Sequence, residues 1–449
     1  MSRLFGTDGV RGVANTELTP ELAFNLGKVG TYVLSKSKQN PLVLIGKDTR
    51  LSGDLLENAI TSGILSMGGN VVKVGILPTP AIAYLVKHMK ADAGVMISAS
   101  HNTYEFNGIK FFNSEGFKLD DDIEDEIEDI IVRDMDVNSH IEGDRLGRCI
   151  EAVDDGAGRY AEFLKSTIDV SLEGMKLVID CANGAAYRVA EKVFKDLGAQ
   201  VVVMGNTPDG LNINASCGST HPEALQQKVL EEKADVGLAF DGDADRLISV
   251  DEKGRVVDGD KMIYICAKML KEQGKLCGDK VTVTVMSNLG FHKAIQNIGA
   301  KVDVTQVGDR YVLESMLKTG CVIGGEQSGH IIFLDYSTTG DGILTALQLL
   351  KALKHSGRKL SELADEVTIY PQVLKNARIK NENKKKYSSD PVIAAEINRV
   401  EELMAGEGRV LIRPSGTEPL VRVMLEGKEL DVITKLAEGL ATLITKRMG

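Results

Sequence analysis

Three aspartates, Asp241, Asp243 and Asp245, alternate along the segment Asp241-Gly-Asp-Ala-Asp-Arg246, directly after the apolar run 236–240. A near-extended loop sets residues i, i+2 and i+4 on one side, and in open α/β sheets ligands collect at the carboxyl ends of strands. Three carboxylates can then converge on one hard cation. Oxygen-only ligation favours Mg²⁺ or Ca²⁺ over zinc and leaves room for a phosphate oxygen. An EF-hand is one rival, since Asp241, Asp243, Asp245 and Glu252 match four ligand positions of that loop. Arg246 stands where its sharp turn needs glycine, and residues 247–250 continue as a strand rather than a helix. An exposed acidic turn is the other rival, although carboxylates packed this closely repel unless a cation or arginine compensates them.

Three more segments carry usable chemistry. Ser98-Ala-Ser-His-Asn102 follows the apolar run 94–97. Ser100 can serve there as a nucleophile and His101 can orient it or stabilise charge, though serine and asparagine are also ordinary turn formers. Lys110, in Asn107-Gly-Ile-Lys110, offers a cation able to return to the same hydroxyl. No Gly-x-Ser-x-Gly elbow is present, which disfavours acyl transfer. In Gly324-Gly-Glu-Gln-Ser-Gly-His330, glycines let the backbone approach a ligand while Glu326 and Ser328 can bind sugar hydroxyls or an amine. A tight inter-strand turn with a structural His330 fits that segment too. Arg413-Pro-Ser-Gly-Thr-Glu-Pro419, followed by Arg422, combines guanidinium groups, hydroxyls and backbone N–H groups freed by Gly416, the makings of a phosphate cradle. It is not a Walker A loop. A plain turn with Thr417 as an N-cap is the alternative.

Such loops need strands to hold them. Short, nearly continuous apolar runs at 43–46, 71–74 and 94–97, then 177–179, 201–204 and 236–240, then 281–285, 302–304 and 322–323, each lead through a polar or Gly-rich loop to helical spacing. This pattern suits strands covered on both faces, and predicts three α/β domains in tandem. After about residue 367 the pattern changes. A lysine-laden loop at 376–390 precedes strands at 409–412 and 421–425 and a helix from about 430 to the end, predicting a smaller α+β domain. The expected boundaries are 1–155, 156–254, 255–367 and 368–449. The acidic run 120–129 carries Ile123, Ile127, Ile130 and Ile131 at helical spacing, so it reads as an amphipathic helix whose carboxylates face water.

Bulk properties narrow the partners. The 449 residues exceed what one core usually organises, and 43% hydrophobic with 26% charged residues is an ordinary globular balance. A formal charge of −11 disfavours nucleic acid and anionic membranes, so an anionic substrate must meet a local basic pocket. The six cysteines are scattered, with no Cys-x-x-Cys pair, which suggests reduced thiols in the cytosol. The N-terminus lacks the apolar core of a signal peptide and no apolar run approaches the ~20 residues that span a bilayer, so a cytoplasmic location is expected.

Together, and in order along essentially the whole chain, these loops resemble the four signature loops of the α-D-phosphohexomutase superfamily. Within it, Phe5-Gly-Thr-Asp-Gly-Val-Arg-Gly12, Gly325-Glu-Gln-Ser-Gly-His330 and Arg413-Pro-Ser-Gly-Thr-Glu-Pro419 are similar to the phosphoglucosamine mutase branch. Phosphomannomutase/phosphoglucomutases tend instead to open on Tyr-Asp-Ile-Arg-Gly and to carry Ser-Asn-Thr in the phosphate loop. Pro78-Thr-Pro80, Asp180-Cys-Ala-Asn-Gly184, Pro208-Asp-Gly-Leu-Asn212 and Cys217-Gly-Ser-Thr-His221 match as well.

The resemblance implies three mixed-sheet α/β domains and a smaller C-terminal α+β domain around a central cleft. It implies phosphorylation at Ser100, with one Mg²⁺ held by Asp241, Asp243, Asp245 and a phosphoserine oxygen. Arg11 and Lys110 would surround the moving phosphoryl group, with Arg246 helping to neutralise it, and Lys110 and His330 are implied for proton transfer. Thr305, Gly308, Asp309, Glu326 and Ser328 would contact the sugar, and Arg413, Ser415, Gly416, Thr417 and Arg422 its non-reacting phosphate. The implied reaction interconverts glucosamine 6-phosphate and glucosamine 1-phosphate through glucosamine 1,6-bisphosphate or a similar intermediate, in a chain that can form a homodimer. The rivals are the same chemistry on neutral hexose phosphates, a metal-dependent sugar phosphatase and a non-catalytic sugar-phosphate sensor. Two departures stand out: Thr103 replaces the proline expected after Ser-His-Asn, which frees a φ angle, and Phe106 replaces an acidic residue.

Overall fold

The computed structural model describes residues 4–6, 8–35, 38–135, 137, 141–150, 155–384, 386–404, 406–415 and 418–449. By contact they divide into two units, residues 1–284 with 303–364, and residues 285–302 with 365–449.

The first unit contains three mixed sheets. Strands β1 (Phe5–Gly6), β2 (Gly9–Val13), β3 (Leu42–Lys47), β4 (Asn70–Ile76), β5 (Ala93–Ile97), β6 (Phe106–Asn113) and β7 (Cys149–Ile150) form a sheet ordered β1-β2-β6-β5-β3-β4-β7. Its centre is parallel, β3 pairing with β4 and β5, while β6 runs antiparallel to both β5 and β2. The apolar run in β5 is buried at every position, as a strand covered on both faces requires. Helix Pro20–Leu34 starts where Thr19 accepts from the Leu22 N–H with Pro20 in the first turn, and packs on helix Gly53–Ser66.

Two glycines set that crossing: a Cβ on Gly27 would lie 2.3 Å from the Ile60 carbonyl oxygen, and one on Gly63 would lie 2.1 Å from that of Phe24. Gly63→Ala is therefore expected to lower the urea midpoint, by an equivalent of about 1–3 kcal/mol, because backbone must shift to admit the methyl group. Gly439→Ala should do the reverse, by up to about 1 kcal/mol, since a Cβ there meets nothing within 4 Å and the residue is inside helix Leu430–Met448.

The second sheet comprises β8 (Lys176–Asp180), β9 (Gln200–Met204), β10 (Val236–Phe240), β11 (Leu247–Asp251) and β12 (Val256–Val257), ordered β12-β11-β10-β8-β9. Strand β10 is parallel to β8 and antiparallel to β11. In the third sheet β13 (Lys280–Thr284) is parallel to β15 (Ile323–Gly325), which is antiparallel to β16 (Ile331–Phe333). The boundary between the units falls within β14 (Lys301–Thr305). The candidate loops leave the carboxyl ends of β5, β10, β14 and β15, where backbone hydrogen bonding stops and side chains are free to converge.

The acidic run forms helix Asp121–Val132, with Ile127 and Ile130 buried. Its carboxylates do not all face water. Glu124, on the same face as Ile127 and Ile131, is 5% exposed and accepts from Arg310 Nη2 at 3.0 Å. The helical period that makes an apolar stripe also carries one acid into it.

The second unit is an antiparallel sheet of β17 (Gln372–Arg378), β18 (Gly408–Pro414) and β19 (Leu420–Gly427), ordered β17-β19-β18. Helices Pro391–Leu403 and Leu430–Met448 cover it around a core that includes Ile393, Val400, Val421, Val423, Leu440 and Ile444. Residues 285–302, inside the third stretch of the sequence reading, belong here by contact: Leu289 N–H donates to the buried Glu426 carboxylate at 3.0 Å, and the Asn288 amide donates to the Tyr370 carbonyl at 2.9 Å. Among the described residues no helix is long and apolar enough to cross a membrane.

Candidate active site

Ser100 sits just beyond β5, 1% exposed, with its backbone in the left-handed region at φ 53°. Its hydroxyl donates to Asp241 Oδ2 at 2.8 Å, 141 residues away in sequence, and lies 3.2 Å from His101 Nδ1. Beyond β10, Asp241, Asp243 and Asp245 are all buried, and each has a carboxylate oxygen within 4.8 Å of those of the others. Among the described residues, Asp243 Oδ1 and Asp245 Oδ1 are buried with no hydrogen-bond partner. Burial, then the charges of Asp245 and Asp243, push Asp241 well above the usual carboxylate range. Buried, mutually repelling and partly unpartnered oxygens fit a divalent cation, which would remove both penalties at once.

Cations ring this cluster. Lys110, 1% exposed, lies 2.9 Å from both Asp243 and Asp8 and 3.8 Å from Asp245. Burial alone would lower its pKa, but the Asp243, Asp8 and Asp245 charges outweigh it and raise the ammonium above its usual range. Among the described residues the Nε atoms of Arg11 and Arg246 are buried without a hydrogen-bond partner, and Arg246 Nε lies 3.8 Å from Asp245 and 4.0 Å from Asp241. His101 is the opposite case: burial, then Arg246 and Arg11, lower its pKa to about 4, so the ring is neutral at pH 7.

Arg11, His101, Asp245, Arg246, Gly308, Asp309, Glu326 and His330 all line one cavity of about 570 Å³, together with Leu4, Gly6, Asp8, Gly9 and Val307. Its size and mixed lining suit a small polar ligand. Another cavity, of about 500 Å³, is lined by Lys233, Lys354 and Arg358 among others, and of the residues weighed for chemistry takes in only Glu252 of the EF-hand rival. Glu326 is oriented by the Gly308 N–H at 3.2 Å and the Ser328 hydroxyl at 3.3 Å. Gly329, at φ 92°, permits that turn, since a Cβ would stand 2.0 Å from the Leu247 carbonyl oxygen. Thr305 is not part of the lining; its hydroxyl donates to the Gln306 carbonyl at 3.0 Å.

In the second unit, Arg413 on β18 stands opposite Arg422 on β19. Burial, then the Arg422 charge, lowers the Arg413 pKa. Ser415, 6% exposed, accepts from the Glu418 N–H at 3.2 Å. Gly416 and Thr417 lie outside the described residues. Two facing guanidinium groups are a ready anion site.

Models of phosphoglucomutase/phosphomannomutase match the chain in series: alpha/beta/alpha domain I at residues 2–137, domain II at 158–254, domain III at 258–370 and the C-terminal domain at 374–443. The chain belongs to the phosphoglucomutase/phosphomannomutase family. Curated relatives named phosphoglucosamine mutase include one from Alkaliphilus oremlandii, 57% identical over all of both chains, and one from Caldicellulosiruptor bescii, 58% identical over all of both. Among solved structures, a phosphoglucomutase/phosphomannomutase family protein from Burkholderia thailandensis matches with a TM-score of 0.83 at 23% identity, covering 100% of this chain and 99% of that one. The Aspergillus fumigatus N-acetylphosphoglucosamine mutase, solved in complex with GlcNAc-6P and magnesium, matches with a TM-score of 0.70 at 19% identity, covering 99% and 96%. These likenesses bear out the fold class read from the sequence.

Within this phosphoglucomutase/phosphomannomutase chain the structure also brings in residues that sequence reasoning did not mark. Asp8 is held by Lys110, Lys118 and Arg11, whose charges outweigh burial and keep its carboxyl well below the usual range. Lys118 bonds Asp8 and Asp309, each at 2.5 Å. Asp309 lies 3.6 Å from His330 Nε2, which accepts from the Gly340 N–H at 3.1 Å, so the neutral form of the ring carries its proton on Nδ1, toward Asp245; burial alone would lower the His330 pKa, but the Asp245 and Asp309 charges outweigh it and raise it. Thr79 donates to Asp243 Oδ2 at 2.5 Å. Asp8 lies inside a quoted opening motif and Thr79 inside Pro78-Thr-Pro80, so both motifs signalled them. Lys118 had no such signal, because its partners are far off in sequence.

Proposed function

We propose that this chain interconverts glucosamine 6-phosphate and glucosamine 1-phosphate, with Ser100 carrying the phosphoryl group between turnovers. The observation that carries this reading is the hydrogen bond from Ser100 Oγ to Asp241 Oδ2 at 2.8 Å, which joins the serine loop to the acidic loop beside the cavity lined by Arg11, Arg246 and Glu326. A sugar hydroxyl oxygen attacks the phosphorus of phospho-Ser100; the new P–O bond forms as the P–Oγ bond breaks, the hydroxyl proton leaves to a nearby base, and the freed Ser100 Oγ takes up a proton to become the hydroxyl. The product is glucosamine 1,6-bisphosphate. After it turns over in the site, Ser100 Oγ takes the other phosphoryl group and releases the isomeric monophosphate.

Asp241, Asp243 and Asp245, with an oxygen of phospho-Ser100, would hold Mg²⁺, which when bound neutralises charge on the moving phosphoryl group. Arg11, Arg246 and Lys110 add fixed positive charge around its equatorial oxygens. Lys110 acts as a cation rather than a proton acceptor, since its carboxylate partners hold it protonated. Proton transfer is assigned instead to the ring nitrogens of His101 and His330 at the cavity wall. Glu326, whose carboxylate is fixed by Gly308 and Ser328, would meet the amino group of the sugar. Arg413, Ser415 and Arg422 are proposed to take the non-reacting phosphate.

A coupled assay on one preparation tests this. The expected result is a kcat/KM at least about tenfold higher on glucosamine 6-phosphate than on glucose or mannose 6-phosphate, the size of one well-placed charged hydrogen bond. Peptide mapping should find phosphate on Ser100. Equal rates on neutral sugars would move the chain to the phosphomannomutase/phosphoglucomutase reading, and steady release of inorganic phosphate would make it a phosphatase.

A further inference from the structure

The hydroxyl that carries the chemistry sits on a residue in a costly backbone state. Left-handed backbone at a residue that is not glycine persists only where its surroundings over-determine it, and Ser100 is held there from both sides of its own residue. On one side, Ser100 N–H donates to Ser98 Oγ at 3.0 Å, and Ser98 Oγ–H donates to Asp48 Oδ2 at 2.5 Å. On the other, Arg50 Nη2 donates to the Ser100 carbonyl at 3.0 Å. The ring closes because Arg50 Nε also donates to Asp48 Oδ2, at 2.8 Å, and both side chains are 0% exposed.

The same guanidinium gathers the rest of the loop: Nη2 donates to the Asn102 carbonyl at 2.9 Å, and Nη1 to those of Phe106, at 3.0 Å, and Thr103. From the second sheet's loops, the Asn214 amide donates to the Ser100 and Asn102 carbonyls at 2.9 and 2.8 Å. The fold supplies Arg50 here because β3 and β5 are parallel neighbours in register, Lys47 opposite Ile97, so the loops leaving their carboxyl ends meet.

We infer that Arg50, anchored by Asp48, is a positioning residue for the phosphoryl carrier: its guanidinium fixes the serine loop by four carbonyls and, through Asp48 and Ser98, by the Ser100 N–H. A buried ion pair is weak support for stability in itself, so this one is better explained by what it orients. Arginine is required because a lysine ammonium is a point charge that cannot reach four fixed carbonyls and a carboxylate at once. With Thr103 in place of a proline, the loop lacks an internal φ restraint and depends on this external one.

This rests on the reading of Ser100 as phosphoryl carrier, and the test separates the two. Arg50→Lys and Ser98→Ala are compared with the parent by kcat and KM on glucosamine 6-phosphate, well below each variant's melting temperature. The rate at which Ser100 gains mass from glucose 1,6-bisphosphate is followed in parallel. Arg50→Lys should lower kcat and phosphoryl gain by about 10²-fold with KM within about threefold, the cost of a misplacement near 1 Å. Ser98→Ala, which keeps the ion pair and opens only the N–H side, should lower both by about tenfold. A folded Arg50→Lys variant with kcat within about threefold of the parent overturns the inference. Should Arg50→Lys fail to fold, an unchanged kcat in Ser98→Ala overturns it equally. Turnover in Ser100→Ala would instead defeat the carrier reading itself.

Discussion

Ser100→Ala is expected to lower mutase turnover by at least about 10⁴-fold while leaving the fold intact. The hydroxyl is the atom that accepts and donates the phosphoryl group, so no neighbour replaces it. The oxygens of Asp241, Asp243 and Asp245 are carboxylates whose geometry is committed to one another, and His101 Nδ1 reaches the serine hydroxyl but stands beside the site it would have to occupy. Stability should change little, since the substitution removes one buried hydroxyl whose partner, Asp241, is already pushed toward its neutral form and can be satisfied by a cation. Turnover and phosphopeptide mapping measured on the same sample decide the matter. A variant that turns over at more than about one-hundredth of the parental rate would mean that phosphate passes by another route.

Lys110→Met combines the largest expected stability effect with a strong loss of activity. The side chain is 1% exposed and its ammonium lies 2.9 Å from both Asp8 and Asp243. Methionine fills a similar volume but leaves the buried Asp243 carboxylate without its ammonium partner and takes one of three cations from the part-buried Asp8, a loss of about 3–5 kcal/mol by analogy with other broken buried pairs. Because its folded pKa is raised, the contribution of Lys110 is fully present below the ordinary lysine value near ~10.4 and is lost only as pH rises through the higher folded value, so the loss in the variant is constant across the neutral range. Activity should fall by about 10²- to 10³-fold, the scale for removing one preorganised charge from a transferring group.

A divalent cation should repair part of the stability. Mg²⁺ held by Asp241, Asp243 and Asp245 would supply positive charge to the carboxylates that lost the ammonium, so the urea midpoint of the variant should rise more steeply with Mg²⁺ than that of the parent. Equal slopes, or a variant as stable as the parent, would mean that these carboxylates are compensated elsewhere.

Much of the site was legible in residue order because its pieces are local. The acidic loop, the serine loop, Gly325-Glu-Gln-Ser-Gly-His330 and the arginine loop are each a run of about six residues after a strand, and the apolar runs that predict those strands are short, continuous and repeated. A strand end and its loop are decided by neighbours in the chain, through hydrophobic pattern and turn chemistry, so three tandem α/β domains and a smaller α+β domain follow from the sequence.

What only the tertiary structure decided is which local pieces touch and in what charge state. That Ser100 bonds Asp241, that Lys110 is gripped by Asp8 and Asp243, that Lys118 spans Asp8 and Asp309, and that Glu124 leaves the water-facing side of its helix for Arg310 all join residues far apart in the chain. The low pKa of His101 and the raised one of Lys110 arise the same way, from burial and the distances between charges. Coulomb energy and desolvation depend on separation in space, which the order of residues does not specify, and so Asp48 and Arg50 read in the sequence as an ordinary charged loop until the fold closed them around Ser100.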